Sequence, residues 1–329
     1  MNRPSPLVRL LERRARALKR QLTAAIAGTD VGVHQARVAS RRLREALPVL
    51  TAGLHHTKSG KAQRKIRRLT QALGTVRELD VTLHLVDELG ERPGVPRAAL
   101  AEVRALVIED RERRRSIMLE RLESVDSEKL ASRLLAVRQA LLRPAPTHRW
   151  RAALALRITK RARRLDKAIA DAGQIYAPEP LHQVRIAVKK LRYALEIADE
   201  STVAPCPATL KVLKRVQDAL GRLHDLQILQ HHIAAVGAAP RGRRSTPDAG
   251  LAILSRQIED QCRHLHGRYV AQLAPLHEAV EASRRDIPLR LTRRGRSSRT
   301  IKMSLAAKRR AGRNKLSPAP KRRAGDGPR

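Results

Sequence analysis

A row of basic side chains that begins with a histidine occurs twice in this sequence. Residues 33–47 read VHQARVASRRLREAL, and residues 181–195 read LHQVRIAVKKLRYAL. On a helix that turns 100° per residue, the repeated basic residues fall on one arc of about 80° and extend over about 15 Å. These residues are His34, Arg37, Arg41 and Arg44 in the first copy, and His182, Arg185, Lys189 and Arg192 in the second. No acid interrupts either row, and guanidinium and ammonium groups bind phosphate oxygens well. The pattern therefore predicts a surface for a linear polyanion.

Both histidines are expected close to the start of their helix. Asp30 is suited to cap the first helix, and Pro180 is suited to the first position of the second. Free backbone N–H groups and the helix dipole favour an anion at such a place. Neighbouring arginines disfavour a protonated histidine in an empty site, whereas a bound polyanion favours it. Binding is therefore expected to tighten as the pH falls toward about 6.

A basic helical face is more often an ordinary solvated surface, and a histidine is more often structural than functional. A solvated face usually mixes Glu with Lys four residues apart, because like charges at that spacing destabilise a helix. Two copies that keep the same cations in register favour the binding role. The matched histidines could instead cap a loop in each half.

A second pair of similar segments indicates that the chain is duplicated. Residues 69–83 (LTQALGTVRELDVTL) align with 216–230 (VQDALGRLHDLQILQ) when Leu73-Gly74 is set on Leu220-Gly221. The two pairs occur in the same order and at almost the same interval, which composition alone does not produce. We expect one half at about 1–143 and the other at about 147–287, joined at Arg143-Pro144-Ala145-Pro146.

The composition and periodicity predict an all-α fold. Hydrophobic residues make up 42% of the chain, but aromatic residues make up 1% and Phe is absent. Ala and Leu favour helices, whereas sheets favour β-branched and aromatic residues. Apolar residues recur at helical spacing. Helices are predicted near 5–27, 31–52, 60–90, 96–124, 127–142, 148–172, 180–199, 207–236 and 248–285.

The charge of the chain calls for an anionic partner. Lys and Arg number 69 against 31 Asp and Glu, which gives a formal net charge of +38. Residues 288–329 hold 15 of the cations and a single acid, Asp326, without a sustained apolar stripe. This segment is predicted to be a disordered basic tail that adds unspecific affinity for polyanions, including nucleic acid. The scarcity of aromatic side chains disfavours stacking on single-stranded nucleic acid.

No pattern of an enzyme, a cofactor or a metal site is found. The phosphate-binding motif G-x-x-x-x-G-K-[ST] and the dinucleotide motif G-x-G-x-x-G are both absent. Cys262, His264 and His266 lie close together, but a zinc site normally needs four ligands. Cys206 is the only other cysteine, which suits a reducing cytoplasm. No uncharged apolar run approaches the length of a membrane span. We therefore predict a non-enzymatic cytoplasmic protein with no cofactor and no bound metal.

The repeated pattern H-Q-x-R-[VI]-A-x-[RK]-[RK]-L-R-x-A-L, followed by A-L-G-x-[VL]-x-[ED]-L, resembles the CHAD family, the conserved histidine α-helical domain. The resemblance covers about residues 5–285, so a CHAD domain is expected over 1–287. It implies two four-helix-bundle halves related by pseudo-two-fold symmetry around a basic central channel. It also implies binding of inorganic polyphosphate and localisation to polyphosphate granules.

The resemblance implies which residues bind the polyphosphate. In the first repeat they are His34, Arg37, Arg41, Arg42 and Arg44, with His182, Arg185, Lys189, Lys190 and Arg192 in the second. The neighbouring helices are expected to add Arg64, Arg67, Arg68 and Arg77, with Lys211, Lys214 and Arg215 opposite. His224 stands where the first half has Arg77, and Gln227 replaces Asp80, so the second half is expected to be tuned differently. Glu78 and Asp225 are expected to orient cations rather than to bind ligand.

Two other functions fit the charge. A DNA-binding or nucleoid-associated protein would use the net charge and the tail, and both it and a polyphosphate binder would depend steeply on salt. A storage-granule scaffold would bind polyphosphate only to localise to the granule and would act there by binding other proteins. The sequence leaves the oligomeric state open.

Overall fold

A computed structural model describes residues 5–27, 29–54, 59–143, 147–238 and 248–293, and those up to Thr292 form one compact unit. These ranges contain eleven helices and no strand. The helices are α1 Pro6–Ile26, α2 Asp30–Leu50, α3 Ser59–Gly90, α4 Arg97–Glu123, α5 Ser127–Leu142, α6 Thr147–Ala172, α7 Pro178–Glu200, α8 Pro207–Ala238, α9 Asp248–Val270, α10 Leu273–Arg284 and α11 Asp286–Thr292. The predicted all-α class is confirmed.

The end of the helical unit differs from the prediction. The single helix expected over 248–285 is broken into α9 and α10, and a further short helix, α11, follows it. Pro275 and Pro288 lie in the first turns of α10 and α11, where a missing N–H is tolerated, whereas neither could continue a preceding helix. Leu291 of α11 is buried, and α11 packs against α6. The basic tail therefore begins later than the expected residue 288, and residues 294–329 lie outside the described residues.

The apolar stripe of each repeated helix forms the core as predicted. Ala36, Leu43 and Leu47 of α2 are fully buried, as are Leu191 and Leu195 of α7. Small side chains on these stripes let neighbouring helices approach closely. Within each half α2 packs against α1 and α3, and α7 packs against α6 and α8. Between the halves, α2 contacts α7 and α3 contacts α8, so the repeated helices lie at the junction.

Two equivalent arginines join the halves. Arg14 of α1 donates to the main-chain oxygen of Arg42 at 2.7 Å and to Glu200 of the other half at 2.8 Å. Arg161 of α6 donates to the main-chain oxygen of Lys190 at 2.5 Å and to Glu45 of the other half. Burial alone would raise the pKa of Glu45, but Arg161 and Arg157 lower it. The arginine and its main-chain acceptor thus repeat across the duplication, whereas the acids Glu200 and Glu45 do not occupy equivalent positions.

The repeated helices start at slightly different residues from those predicted. Thr29 caps α2, because its hydroxyl accepts from the Gly32 N–H at 3.1 Å. Asp30, predicted as the cap, is the first helical residue and pairs with Arg111 of α4. Helix α7 begins at Pro178 rather than Pro180. Each repeated histidine is therefore the fifth residue of its helix, just past the first turn.

Replacing Thr29 by Ala is expected to destabilise the protein by about 1 kcal/mol, because it removes the oxygen that caps α2. Urea denaturation of the full chain measures this loss. Thr29→Asn keeps a capping oxygen and should retain most of the stability. Equal losses in the Ala and Asn variants would show that the cap contributes nothing.

Candidate functional site

Five basic side chains of α2, α3 and α7 lie near the junction of the two halves, where α2 contacts α7 and α3 contacts α8. We call them the central cation cluster: Arg37 and Arg41 of α2, Arg77 of α3, and Arg185 and Lys189 of α7. Arg77 belongs with the others because, besides burial, it lowers the pKa of His34 together with Arg37, and it opposes the raised pKa of Asp225 together with Arg185 and Lys189. Burial, followed by Arg185, Arg41 and Arg37, lowers the pKa of Lys189 to about 7. Burial and then Arg41 lower the pKa of Arg37 to about 10. Such mutual effects arise only between charges that lie close together.

The cluster is short of counter-charge. Within the described part of the chain, none of its five cations forms an ion pair with a carboxylate. The Nε atom of Arg185 is buried without a hydrogen-bond partner there. Arg161, by contrast, is also deeply buried but is paired with Glu45. Since an unpaired buried charge costs stability, the cluster is a costly arrangement that structural packing does not require.

Two acids lie near the cluster. Against the larger effect of burial, the charge of Glu78 of α3 raises the pKa of Arg37, Arg185 and His182. The charge of Asp225 of α8 likewise raises the pKa of Arg185 and Lys189. Burial raises the pKa of Asp225, although the surrounding cations oppose this shift. Five cations thus face two carboxylates, and the local field remains strongly positive.

Three histidines border the cluster. Burial, Arg77 and Arg37 lower the pKa of His34. In the second half, the Nδ1 atoms of His182 and His224 lie 3.2 Å apart, so one must donate and the other accept. Burial, followed by Arg185, lowers the pKa of His224 to about 4. Two protonated rings could not share this hydrogen bond, so the pair resists double protonation.

The Leu-Gly motif of the first half makes room for an arginine. A Cβ atom at Gly74 would lie 2.5 Å from Nη1 of Arg37, which is closer than atoms can approach. The same nitrogen donates to the main-chain oxygen of Thr70 at 3.5 Å, the outer limit of a hydrogen bond. A Cβ atom at Gly221, by contrast, would meet nothing within 4 Å. The two halves therefore hold their arginines differently.

Four predicted residues of the repeated helices lie outside the cluster. Nε of Arg42 is 3.2 Å from Glu196 of the other half, and Arg192 donates to the same carboxylate at 2.5 Å. Arg44 is 3.9 Å from Glu45. Lys190 lines a groove of about 400 Å³ between α6 and α7. Arg44 and Arg192 therefore leave the predicted row to form ion pairs, while Arg42 and Lys190, which the resemblance added, serve an ion pair and another surface.

The six cations predicted at the starts of α3 and α8 are all exposed: Arg64, Arg67, Arg68, Lys211, Lys214 and Arg215. Nothing places them at the cluster. Arg68 instead lines a cavity with Arg121, and Lys214 is paired with Asp218 at 2.7 Å. Asp80 pairs with Arg111 of α4, which donates to it at 2.8 Å, rather than with a cation of the cluster.

The repeated patterns described above do not include the arginines that join the halves. A signal is nevertheless present: Arg14 begins the segment RARAL and Arg161 begins RARRL, and the two are separated by the repeat interval of 147 residues. Within the described ranges, no three His, Cys, Asp or Glu side chains are placed to hold a metal ion. None of the helices there is long and apolar enough to cross a membrane.

Comparison with known proteins agrees with this architecture. The crystal structure of the CHAD domain from the plant Ricinus communis superposes with a TM-score of 0.56 and 23% identity, covering 84% of this chain and 91% of that one. PptA from Streptomyces chartreusis superposes with a TM-score of 0.50 and 20% identity, covering 85% of this chain and all of that one. At such identities the likeness shows the fold alone. No curated protein matches the chain.

The family model of the CHAD domain matches residues 9–234, which include both copies of the histidine motif and both Leu-Gly motifs. This match covers more than half of the chain, and the structural likeness extends beyond it. The chain therefore belongs to the CHAD domain family.

Proposed function

We propose that the central cation cluster binds inorganic polyphosphate and that the protein has no catalytic role. The observation that carries this proposal is that five partly buried cations lie together and, among the described residues, form no ion pair with a carboxylate. A chain of phosphates supplies one negative charge per unit and could neutralise all five. Glu78 and Asp225 then orient the cations between which the chain lies.

The partial burial of the cluster favours polyphosphate over nucleic acid. Arg37 and Lys189 are partly buried, and burial is the largest cause that lowers the pKa of each. A thin chain without sugars or bases can reach them, whereas a duplex presents its phosphates on a wide rigid surface. Single-stranded nucleic acid usually stacks its bases on aromatic side chains, and the chain contains three Tyr, one Trp and no Phe.

Competition between the two polyanions tests this function. A labelled DNA duplex bound to the full chain is titrated with long-chain polyphosphate at equal phosphate concentration and fixed salt. We expect polyphosphate to displace the DNA well below equivalence and DNA to displace polyphosphate poorly. Equal displacement in both directions would favour a nucleoid-associated protein that binds through charge alone.

Binding of polyphosphate is also proposed to direct the protein to polyphosphate granules in the cytoplasm. A tagged protein should form foci in cells that make polyphosphate and become diffuse when synthesis is abolished. A scaffold would give the same foci but would also retain other proteins on the granules. Comparing the proteins of granules purified from cells with and without this protein detects that retention.

Binding should take up protons at the histidines. In the empty site, burial is the largest cause that lowers the pKa of His34 and of His182, and nearby arginines lower both pKa values further. A bound polyanion raises these values, so affinity should rise as the pH falls through the ordinary histidine range and level off below the empty-site values. Each histidine whose pKa is raised by one unit on binding should increase the affinity by up to about tenfold. Calorimetry in buffers of different ionisation enthalpy measures the uptake.

The variant His34→Ala plus His182→Ala should lose most of this dependence between about pH 5 and pH 7. His84→Ala plus His264→Ala is a matched control, because both of these side chains are exposed. Binding should still weaken as the pH rises above about 7, because Lys189, whose pKa is about 7, then loses its proton and its charge. An unchanged acid limb in the His34 and His182 variant would remove the histidines from the mechanism.

A further inference from the structure

A second cationic site lies on another face of α3. A cavity of about 290 Å³ lies between α3 and the end of α4. Its ionisable lining residues are Lys65, Arg68 and Arg121, with the amide of Gln71 beside them. None of its lining residues in the described part of the chain carries a carboxylate.

This cavity is separate from the central cation cluster. Arg68 precedes Arg77 by nine positions, which on a helix amounts to about half a turn of rotation and about 13 Å of rise. The two arginines thus lie on opposite faces of α3. A ligand at Arg68 does not need the cluster, and the cluster does not need Arg68.

The two arginines of the cavity are available for a ligand. In the described part of the chain, neither Arg68 nor Arg121 has a side-chain hydrogen bond or an ion pair. Lys65 donates to the main-chain oxygen of Asp126 at 3.1 Å and lies 4.0 Å from its carboxylate. That carboxylate is already engaged, since it accepts from the N–H of Lys129 at 2.8 Å to cap α5. Lys65 is therefore anchored with N–H donors left over.

The chemistry of these groups fits a phosphate group. Two guanidinium groups can each present two parallel donors to phosphate oxygens, and an ammonium adds a point charge. The volume is at the small end of ligand sites, so it suits one or two phosphate groups rather than a long chain. We infer that Lys65, Arg68 and Arg121 form a binding site for a compact phosphate anion, either free or at the end of a short chain. This goes beyond the function proposed for the central cluster.

The second half carries an incomplete counterpart of the site. At the repeat interval of 147 residues, Arg215 and Arg268 stand for Arg68 and Arg121. Val212 replaces Lys65, and Asp218 replaces Gln71. The counterpart thus keeps both arginines, lacks the third cation and gains a carboxylate, so it should bind phosphate poorly. It provides a control with the same change in net charge.

Equilibrium dialysis of the full chain against labelled inorganic phosphate at physiological salt tests the site. The variant Arg68→Gln plus Arg121→Gln should lose affinity by at least about tenfold, since each lost charged contact is worth about that factor. Arg215→Gln plus Arg268→Gln should stay within about twofold. Equal losses in the two variants, or no loss in either, would overturn the site.

Tripolyphosphate distinguishes the two sources of the phosphate group. If the ligand is a chain end, Arg68→Gln plus Arg121→Gln should weaken the binding of tripolyphosphate more than that of orthophosphate. If the ligand is free phosphate, the binding of orthophosphate should be weakened more. Long-chain polyphosphate should bind this variant almost as well as the unmodified protein, so failure of this site is distinct from failure of the cluster. Should the Gln variant not fold, Arg68→Lys plus Arg121→Lys keeps the charge and should lose the paired donors, with a smaller reduction in affinity.

Discussion

Long-chain polyphosphate is expected to raise the melting temperature of the protein by about 10 °C. A ligand that binds only the folded state stabilises it by about 4 kcal/mol at a thousand times its dissociation constant. In a helical unit of this size each kcal/mol is worth about 2–4 °C. The effect should be strong because the empty protein holds Arg37, Lys189 and their neighbours together with only Glu78 and Asp225 as nearby counter-charge. Differential scanning fluorimetry over a range of polyphosphate concentrations measures it.

The shift should survive removal of the basic tail. The chain must keep α11, because Leu291 is fully buried and α11 packs against α6. A protein ending at Arg293 is therefore the appropriate comparison, whereas one ending at 287 would lose part of the core. If only the full-length protein is stabilised by polyphosphate, the cluster is not the site.

The double variant Arg37→Gln plus Arg185→Gln should bind polyphosphate at least about a hundredfold more weakly. Each replacement removes a charge-assisted contact worth about 1.5 kcal/mol or more, and about 1.4 kcal/mol corresponds to a factor of ten. The same variant should be more stable without ligand by about 1–2 kcal/mol, because it relieves repulsion between buried like charges. Calorimetric titration gives the affinity, and urea denaturation gives the free energy of unfolding.

Arg42→Gln plus Arg192→Gln is the matched control. It removes the same charge from the same two helices, but these arginines pair with Glu196, which is buried. Loss of both partners should destabilise the protein by about 1–3 kcal/mol while affinity changes only a few-fold. Opposite signs for stability in the two variants distinguish a binding site from a structural network. Similar effects of both variants on affinity would mean that total charge, rather than position, governs binding.

The sequence allowed much of the site to be predicted because periodicity and duplication are local properties. His34, Arg37 and Arg41 lie on one face of α2, and their copies on α7 follow the same spacing. The repeat interval then indicated that the two faces belong to equivalent helices. These inferences need only the geometry of one helix and one alignment.

The remaining contacts depend on how the two halves dock. Arg42 pairs with Glu196 of the other half instead of joining the cluster, and nothing near Arg42 in the sequence reveals that partner. The ion pair of Arg161 with Glu45 likewise joins the two halves, whereas the meeting of Arg68 with Arg121 depends on how α3 and α4 pack within the first half. The break within the last predicted helix was closer to prediction, since Pro275 marked it.

The central claim is that buried cations between the halves, rather than the basic tail, bind polyphosphate. Its most direct test is the dissociation constant of long-chain polyphosphate for the protein ending at Arg293, with and without Arg37→Gln plus Arg185→Gln. We predict that truncation alone weakens binding by no more than about tenfold, as loss of unspecific charge would, and that the double replacement weakens it by a further factor of about a hundred. Loss of binding on truncation, together with unchanged affinity in the full-length double variant, would contradict the claim.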